Sequence, residues 1–354
     1  MKPPSYRKIL IRCPNWVGDA VMATPILEAV RKKYPSAHIT YMLKKYVKSV
    51  YSGSDAVDSF IETAPKSTVS LFSRHAKEFI ANVRAIRKGR FDMALLLSNT
   101  FQSALEAFAA GVPERIGYQR DGRSGLLTAG PYPKRHSLGY HPESMIDYYN
   151  RLGNCLDIPN ISHTMKLYTS DEDEQEAVDF FRQVNIGPDM RMIGLNPGAA
   201  FGGSKFWPAE YFAKVGDYFA KDKRIAVIVF SGPGEIGIAQ RISSMMEHPC
   251  YISSGTVLSL GGLKAVIRRC SLLITNDTGP RHFASAFGVP SVVLVGATDP
   301  RWTENDDRRQ IVLFKKTVCG PCHLRTCPYN HQCMKMIKPA DVISASNRLL
   351  EQTK

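Results

Sequence analysis

The sequence predicts two doubly wound α/β domains, and three observations carry the prediction. Its 354 residues exceed what one ordinary core organises and suit two domains of about 150–200 residues each. In both halves, apolar runs of strand length alternate with amphipathic stretches of helical length. Turns containing glycine, which let a chain pass from strand to helix, follow several of the runs.

In the first half the strands are KILIR (8–12), HITYM (38–42) and FDMALLL (91–97). AVMATPILEAVRKKY (20–34) and EFIANVRAIRKGR (78–90) read as the intervening helices. In the second half RMIGLN (191–196), RIAVIVF (224–230), SLLITND (271–277) and VPSVVLVG (289–296) are the strands. Between them PAEYFAKVGDYFAKD (208–222), EIGIAQRISSMM (235–246) and PRHFASAFG (280–288) carry helical patterns. Short, nearly continuous apolar strands separated by helices belong to parallel sheets built of right-handed β-α-β units.

The boundary falls within 160–190, giving an N-terminal domain over 1–170 and a C-terminal domain over 171–354. TSDEDEQEAVDFFRQVN starts a helix there: Ser170 can cap it, and acids in the first turn suit the positive end of the helix dipole. Asp171 and Asp173 also have the D-x-D spacing of some metal-using sugar transferases, but solvated, dipole-stabilising acids are the better reading. PADVISASNRLLEQ (339–352) forms a last helix, expected to pack back on the N-terminal domain.

The formal charge of +14 is uneven: residues 1–165 hold 23 Lys+Arg against 13 Asp+Glu, and residues 166–354 hold 23 against 19. A basic first half suits a polyanion, whether an anionic membrane face, an acidic glycolipid or nucleic acid. The absence of a zinc finger, an RNP-like motif or an interleaved basic and aromatic stripe argues against nucleic acid. No window has about 18 consecutive apolar residues, and the first stretch lacks a signal peptide's apolar segment, so the expectation is a cytoplasmic protein.

Cys13, Cys155, Cys250 and Cys270 are scattered, whereas Cys319, Cys322, Cys327 and Cys333 share one stretch with His323 and His331. Their C-x2-C-x4-C-x5-C spacing matches no standard zinc pattern. A compact reduced loop is the expectation, with metal as the alternative.

In open α/β sheets ligands bind beyond the carboxyl ends of strands, and four stretches sit there. After KILIR comes CPNWVGD, where Asp19 is suited either to capping a helix or to general-base work. After RMIGLN comes NPGAAFGGSKFWP (196–208), in which Gly198, Gly202 and Gly203 allow close backbone approach and Lys205 offers a point charge to phosphate. After RIAVIVF comes SGPGE (231–235), where Glu235 can hold ribose hydroxyls or complement a dipole. After SLLITND, the Asp277, Thr278, Gly279 turn opens a helix whose backbone N–H groups suit an anion, with His282 one turn in. Neither G-x-G-x-x-G nor a P-loop is present.

NWVGD (15–19), NPGAAFGGSKFWP (196–208), NDTGPRH (276–282) and GVPSVVLVGATDP (288–300), in that order along nearly the whole chain, resemble the lipopolysaccharide heptosyltransferases. The match is to the heptosyltransferase II branch of the ADP-heptose transferase family, glycosyltransferase family 9. The resemblance implies a GT-B architecture, two Rossmann-like domains facing across a cleft, with acceptor on the first and nucleotide-sugar donor on the second. It implies Asp19 as general base, Lys205 and Asp277 to Gly279 as donor-phosphate contacts, Glu235 near the nucleotide, His282 beside it, and Asn196 and Gly198 at the head of the donor turn. The implied reaction is inverting, metal-independent transfer of heptose from ADP-heptose to the heptosyl-Kdo2-lipid A inner core. ADP-heptose would be substrate, with no cofactor, and the enzyme would work at the cytoplasmic face of the inner membrane. Phe206, Pro280 and Arg281 depart from the family's pattern beside the donor site. A family member with another acceptor or sugar, such as heptosyltransferase I, and a non-catalytic nucleotide-sugar-binding protein are the alternatives.

Overall fold

A computed structural model describes residues 6–64, 71–136, 139–232, 234–253 and 258–352, with side chains excluded for 71–75. The chain divides into two compact units between Lys166 and Leu167, and the short segment Thr303–Asn305 groups with the first. In that segment Glu304 accepts a hydrogen bond through its carbonyl from the Ser144 hydroxyl at 2.8 Å.

The first unit holds a five-stranded parallel sheet of β1 (Lys8–Arg12), β2 (His38–Leu43), β3 (Ser59–Glu62), β4 (Met93–Leu96) and β5 (Glu114–Gly117), in the order β3-β2-β1-β4-β5. Ile9, Leu10 and Ile11 are fully buried, which is why β1 reads as an unbroken apolar run. A two-stranded antiparallel ribbon, β6 (Arg135–His136) and β7 (Gly139–Tyr140), follows.

The second unit holds a six-stranded parallel sheet of β8 (Arg191–Asn196), β9 (Ile225–Val229), β10 (Tyr251–Ile252), β11 (Leu272–Asn276), β12 (Ser291–Val295) and β13 (Gln310–Phe314). Their order is β10-β9-β8-β11-β12-β13. The chain leaves β8 for one side of the sheet and later returns to its other side as β11, so the carboxyl ends of β8 and β11 flank the point where strand order reverses. Ligands of doubly wound sheets bind at such a point.

Helix Pro339–Gln352 completes this second unit. Its Val342, Ala345 and Leu349 share a core cluster with Ile193 and Leu195 of β8, Ile274 of β11 and Phe212 of helix Ala209–Ala220. The helix's apolar stripe is thereby packed against its own sheet.

The acidic run also has a more specific use than solvation. Ser170 and Asp173 form a capping box at the start of helix Asp171–Gln183. The next acids clasp helix Leu260–Arg268: Asp173 lies 3.3 Å from the fully buried Lys264 ammonium, and Glu174 pairs with Arg268 and Arg269. Glu176 accepts the Ser259 N–H and hydroxyl, each at 2.5 Å. Burial lowers the Lys264 pKa, and Asp173 opposes that effect. Among the described residues no helix is long and apolar enough to cross a membrane.

Candidate active site

At the strand-order reversal, the ends of β8 and β11 are cross-linked by side chains. The Asn196 amide donates to the Thr275 hydroxyl at 2.9 Å, that hydroxyl donates to the Asn276 carbonyl at 2.7 Å, and the Asn276 amide donates to the Pro197 carbonyl at 2.5 Å. Asn196 is thereby a fastening of the site, buried and committed to its neighbouring strand.

The glycine turn that follows is shaped from two sides. A Cβ on Gly198 would stand 2.0 Å from Oε2 of Glu235, so only glycine lets that carboxylate in. Glu235 accepts the Ala199 N–H at 2.9 Å and the Gly232 N–H at 3.2 Å, tying the loop after β8 to the loop after β9. Pro233, in the SGPGE turn, lies outside the described residues. On the other side, Gly202 has φ +149° and a Cβ there would meet the Arg325 carbonyl at 2.3 Å. Ser204 donates its N–H to that same carbonyl and its hydroxyl to the Leu324 carbonyl, while a ring nitrogen of His331 lies 3.0 Å from the Gly203 carbonyl. The cysteine-containing stretch therefore braces the turn.

This turn delivers Lys205 to Asp277. The ammonium donates to both the Asp277 carbonyl and its Oδ2 at 2.8 Å, and it sits 5.2 Å from the Phe201 ring centre. Two of its three hydrogens are thereby used. Asp277 is engaged all round: Oδ1 accepts from Arg281 at 2.7 Å, and Oδ2 also accepts from the Thr298 hydroxyl at 2.7 Å. Burial alone would push the Asp277 carboxyl up, but Arg281 and Lys205, with the Lys205 and Thr298 hydrogen bonds, hold it far below the usual carboxylate range. Asp277 thus holds the cations in place, with both oxygens already occupied by the protein.

Thr278 is the N-cap of helix Gly279–Phe287, and its hydroxyl makes no capping bond. Proline near the helix start gives up only an N–H that the helix itself would not use. His282 is 2% exposed, and burial, reinforced by Arg281, lowers its pKa to about 3. It is neutral at ordinary pH, and its Nδ1 has no hydrogen-bond partner. Phe206 and Gly203 line a cavity of about 520 Å³ with Trp207, Ile238 and Arg241, whose walls include neither Lys205 nor Asp277.

In the first unit, Asp19 lies in the first turn of helix Val17–Met22, just beyond β1. The Tyr149 hydroxyl is fully buried; burial raises its pKa well above the ordinary value, and the nearby Asp19 charge raises it further. Trp16, the N-cap residue, is half exposed, and the Tyr46 hydroxyl donates to the Asn15 carbonyl. Arg123 is fully buried and donates to the carbonyls of Tyr118 and Ser98 and to the Asn99 side chain, which fixes the loop after β4. Its pKa is lowered to about 10 by burial. Nothing in the turn DGR marks Arg123 as buried, and Thr298 and Gln310, the latter accepting from Arg281 at 2.5 Å, are equally silent in the sequence.

All eight cysteines are free. Among the described residues no group of three or more His, Cys, Asp or Glu side chains is arranged to hold a metal ion.

The sequence profile of glycosyltransferase family 9 (heptosyltransferase) matches residues 80–332. The chain belongs to glycosyltransferase family 9. The family chain is 27% identical to lipopolysaccharide heptosyltransferase 2 of Escherichia coli K12, over 98% of this chain and 99% of that one. It is 25% identical to lipooligosaccharide heptosyltransferase 2 of a Campylobacter jejuni serotype O:2 strain, with the same coverage. Among solved structures, a family 9 glycosyl transferase from Veillonella parvula DSM 2008 superposes with a TM-score of 0.84 at 26% identity, covering 99% of both chains. The ADP-heptose heptosyltransferase II of E. coli gives 0.76 at 25% identity, covering 98% of this chain and 99% of that one. This family 9 protein is a glycosyltransferase with the two Rossmann-like domains of the GT-B fold.

Proposed function

We propose that the enzyme transfers heptose from ADP-heptose to a heptosyl-Kdo2-lipid A inner-core acceptor, with inversion and without a metal. The observation that carries this reading is the cationic cluster at the strand-order reversal, where Lys205 and Arg281 surround one carboxylate beside a helix N-terminus. A departing diphosphate needs such fixed positive charge and N–H groups. The heptosyltransferase II relatives supply the sugar and the acceptor class.

In the proposed step an acceptor hydroxyl attacks the anomeric carbon as the Asp19 carboxylate takes its proton. The new C–O bond forms on the face opposite the breaking C–O bond, whose electron pair leaves on the β-phosphate of ADP. Lys205, the Thr278 hydroxyl and the first backbone N–H groups of helix Gly279–Phe287 receive the developing charge. Asn196 and Gly198 shape the turn that carries Lys205, and Glu235 locks that turn while facing the nucleotide. The basic first half of the chain would attract the anionic acceptor and the cytoplasmic leaflet that holds it. Mass spectrometry of heptosyl-Kdo2-lipid A after incubation with enzyme and ADP-heptose tests the assignment: the acceptor should gain one heptose. An unchanged acceptor, with ADP-heptose intact, would contradict it.

A further inference from the structure

Lys205, Arg281 and Asp277 form one buried electrostatic unit. Their side chains are 11%, 1% and 5% exposed, and the two cations less one carboxylate leave a net charge of +1. Thr298 and Gln310, which bond to Asp277 and Arg281, are neutral, and His282 is held unprotonated by its burial. Arg281 cannot itself swing toward a ligand without abandoning Asp277 at 2.7 Å and Gln310 at 2.5 Å, so it is fixed in the wall. Lys205 is the cation with a hydrogen left to offer.

We infer that Arg281 is a positioning residue that sets the charge of the diphosphate site: by balancing Asp277, it leaves the Lys205 charge uncompensated for the donor. This rests on the nucleotide-sugar reading above. Without Arg281, Lys205 and Asp277 would form a closed neutral pair, and a diphosphate would have to compete with a buried carboxylate for the only cation. In a site this poorly solvated, removing one unit charge several ångströms from a diphosphate should weaken its binding about tenfold or more.

The test is calorimetric titration of the full-length protein with ADP, at low and high ionic strength, for the wild type and three variants. Arg281→Met should raise the ADP Kd at least about tenfold and flatten its salt dependence, while Arg281→Lys should stay within about threefold of wild type. The double variant Arg281→Met, Asp277→Asn restores the net charge of +1, so it should also bind ADP within about threefold of wild type. A merely structural Arg281 predicts the reverse, with the double variant binding no better than the single one. That outcome, or an Arg281→Met variant that binds like wild type, overturns the inference while leaving the donor reading intact. Should Arg281→Met fail to fold, the double variant decides alone, since it removes the buried carboxylate that Arg281→Met leaves without its guanidinium. A wild-type protein that binds no ADP overturns both readings.

Discussion

Replacing Gly198 by alanine should expel the Glu235 carboxylate from the turn. The new Cβ would lie 2.0 Å from Oε2 and 2.3 Å from Cδ, so the side chain must leave, although it can do so by rotating. Two hydrogen bonds to a charged acceptor would be lost, from Ala199 at 2.9 Å and Gly232 at 3.2 Å. Bonds to charged groups contribute about 1.5–3 kcal/mol each, and the expelled carboxylate regains water, so a net loss of about 2–4 kcal/mol is expected. In a domain of this size each kcal/mol moves the melting midpoint by about 2–4 °C, which gives a fall of roughly 4–16 °C. Differential scanning calorimetry with and without ADP measures it, and ADP affinity should fall as well, because the same turn carries Lys205. A midpoint within 1 °C of wild type, together with unchanged ADP affinity, would refute the carboxylate clasp.

Two further outcomes follow from buried charge and protonation. Lys264→Met leaves Asp173 buried without its cation and should cost about 3–5 kcal/mol in denaturant unfolding, while the double variant Lys264→Met, Asp173→Asn should recover most of that; equal losses would show that the pair is unimportant. The His282 pKa falls from the ordinary 6.5 to about 3 on folding, so the unfolded chain binds the extra proton. Its stabilisation is therefore fully present above pH 6.5 and is lost as pH falls toward 3, at up to about 1.4 kcal/mol per pH unit. The difference in unfolding free energy between wild type and His282→Gln should shrink from pH 6.5 to 4.5, since carboxylate titrations common to both proteins cancel in the difference; a constant difference would contradict the buried neutral imidazole.

The strands that sequence patterning reveals and those it misses divide by position in the sheets. β1, β2, β4, β8, β9, β11 and β12 were all legible, and every one of them has a neighbour on both sides. Within the two parallel sheets the four it misses, β3, β5, β10 and β13, are the edges, and the two-residue ribbon strands β6 and β7 are missed as well. Central parallel strands are covered on both faces and need unbroken apolar runs, whereas the edges SFIE and QIVLF are only partly buried and carry no comparable signal. The location of the site was legible for a related reason: glycine turns and a D-T-G step mark where strands hand over to helices. What those side chains bond to was not. Asp277 spends both oxygens on residues 4 to 72 positions away, and Glu235 spends one of its own on Ala199 in the loop after β8, 36 positions away. The acids after Ser170 likewise meet helix Leu260–Arg268 and its flanking residues at separations of more than 80 residues, a pairing that local patterning cannot contain.

In the proposed reaction an acceptor hydroxyl, activated by Asp19, displaces ADP at a cationic site without a metal. ADP release from ADP-heptose, followed with and without heptosyl-Kdo2-lipid A in the wild type and in Asp19→Ala, and repeated in EDTA, tests it most directly. Release should depend on acceptor, disappear in Asp19→Ala while ADP binding persists, and be indifferent to EDTA. Turnover that survives Asp19→Ala, or stops with EDTA, would contradict it.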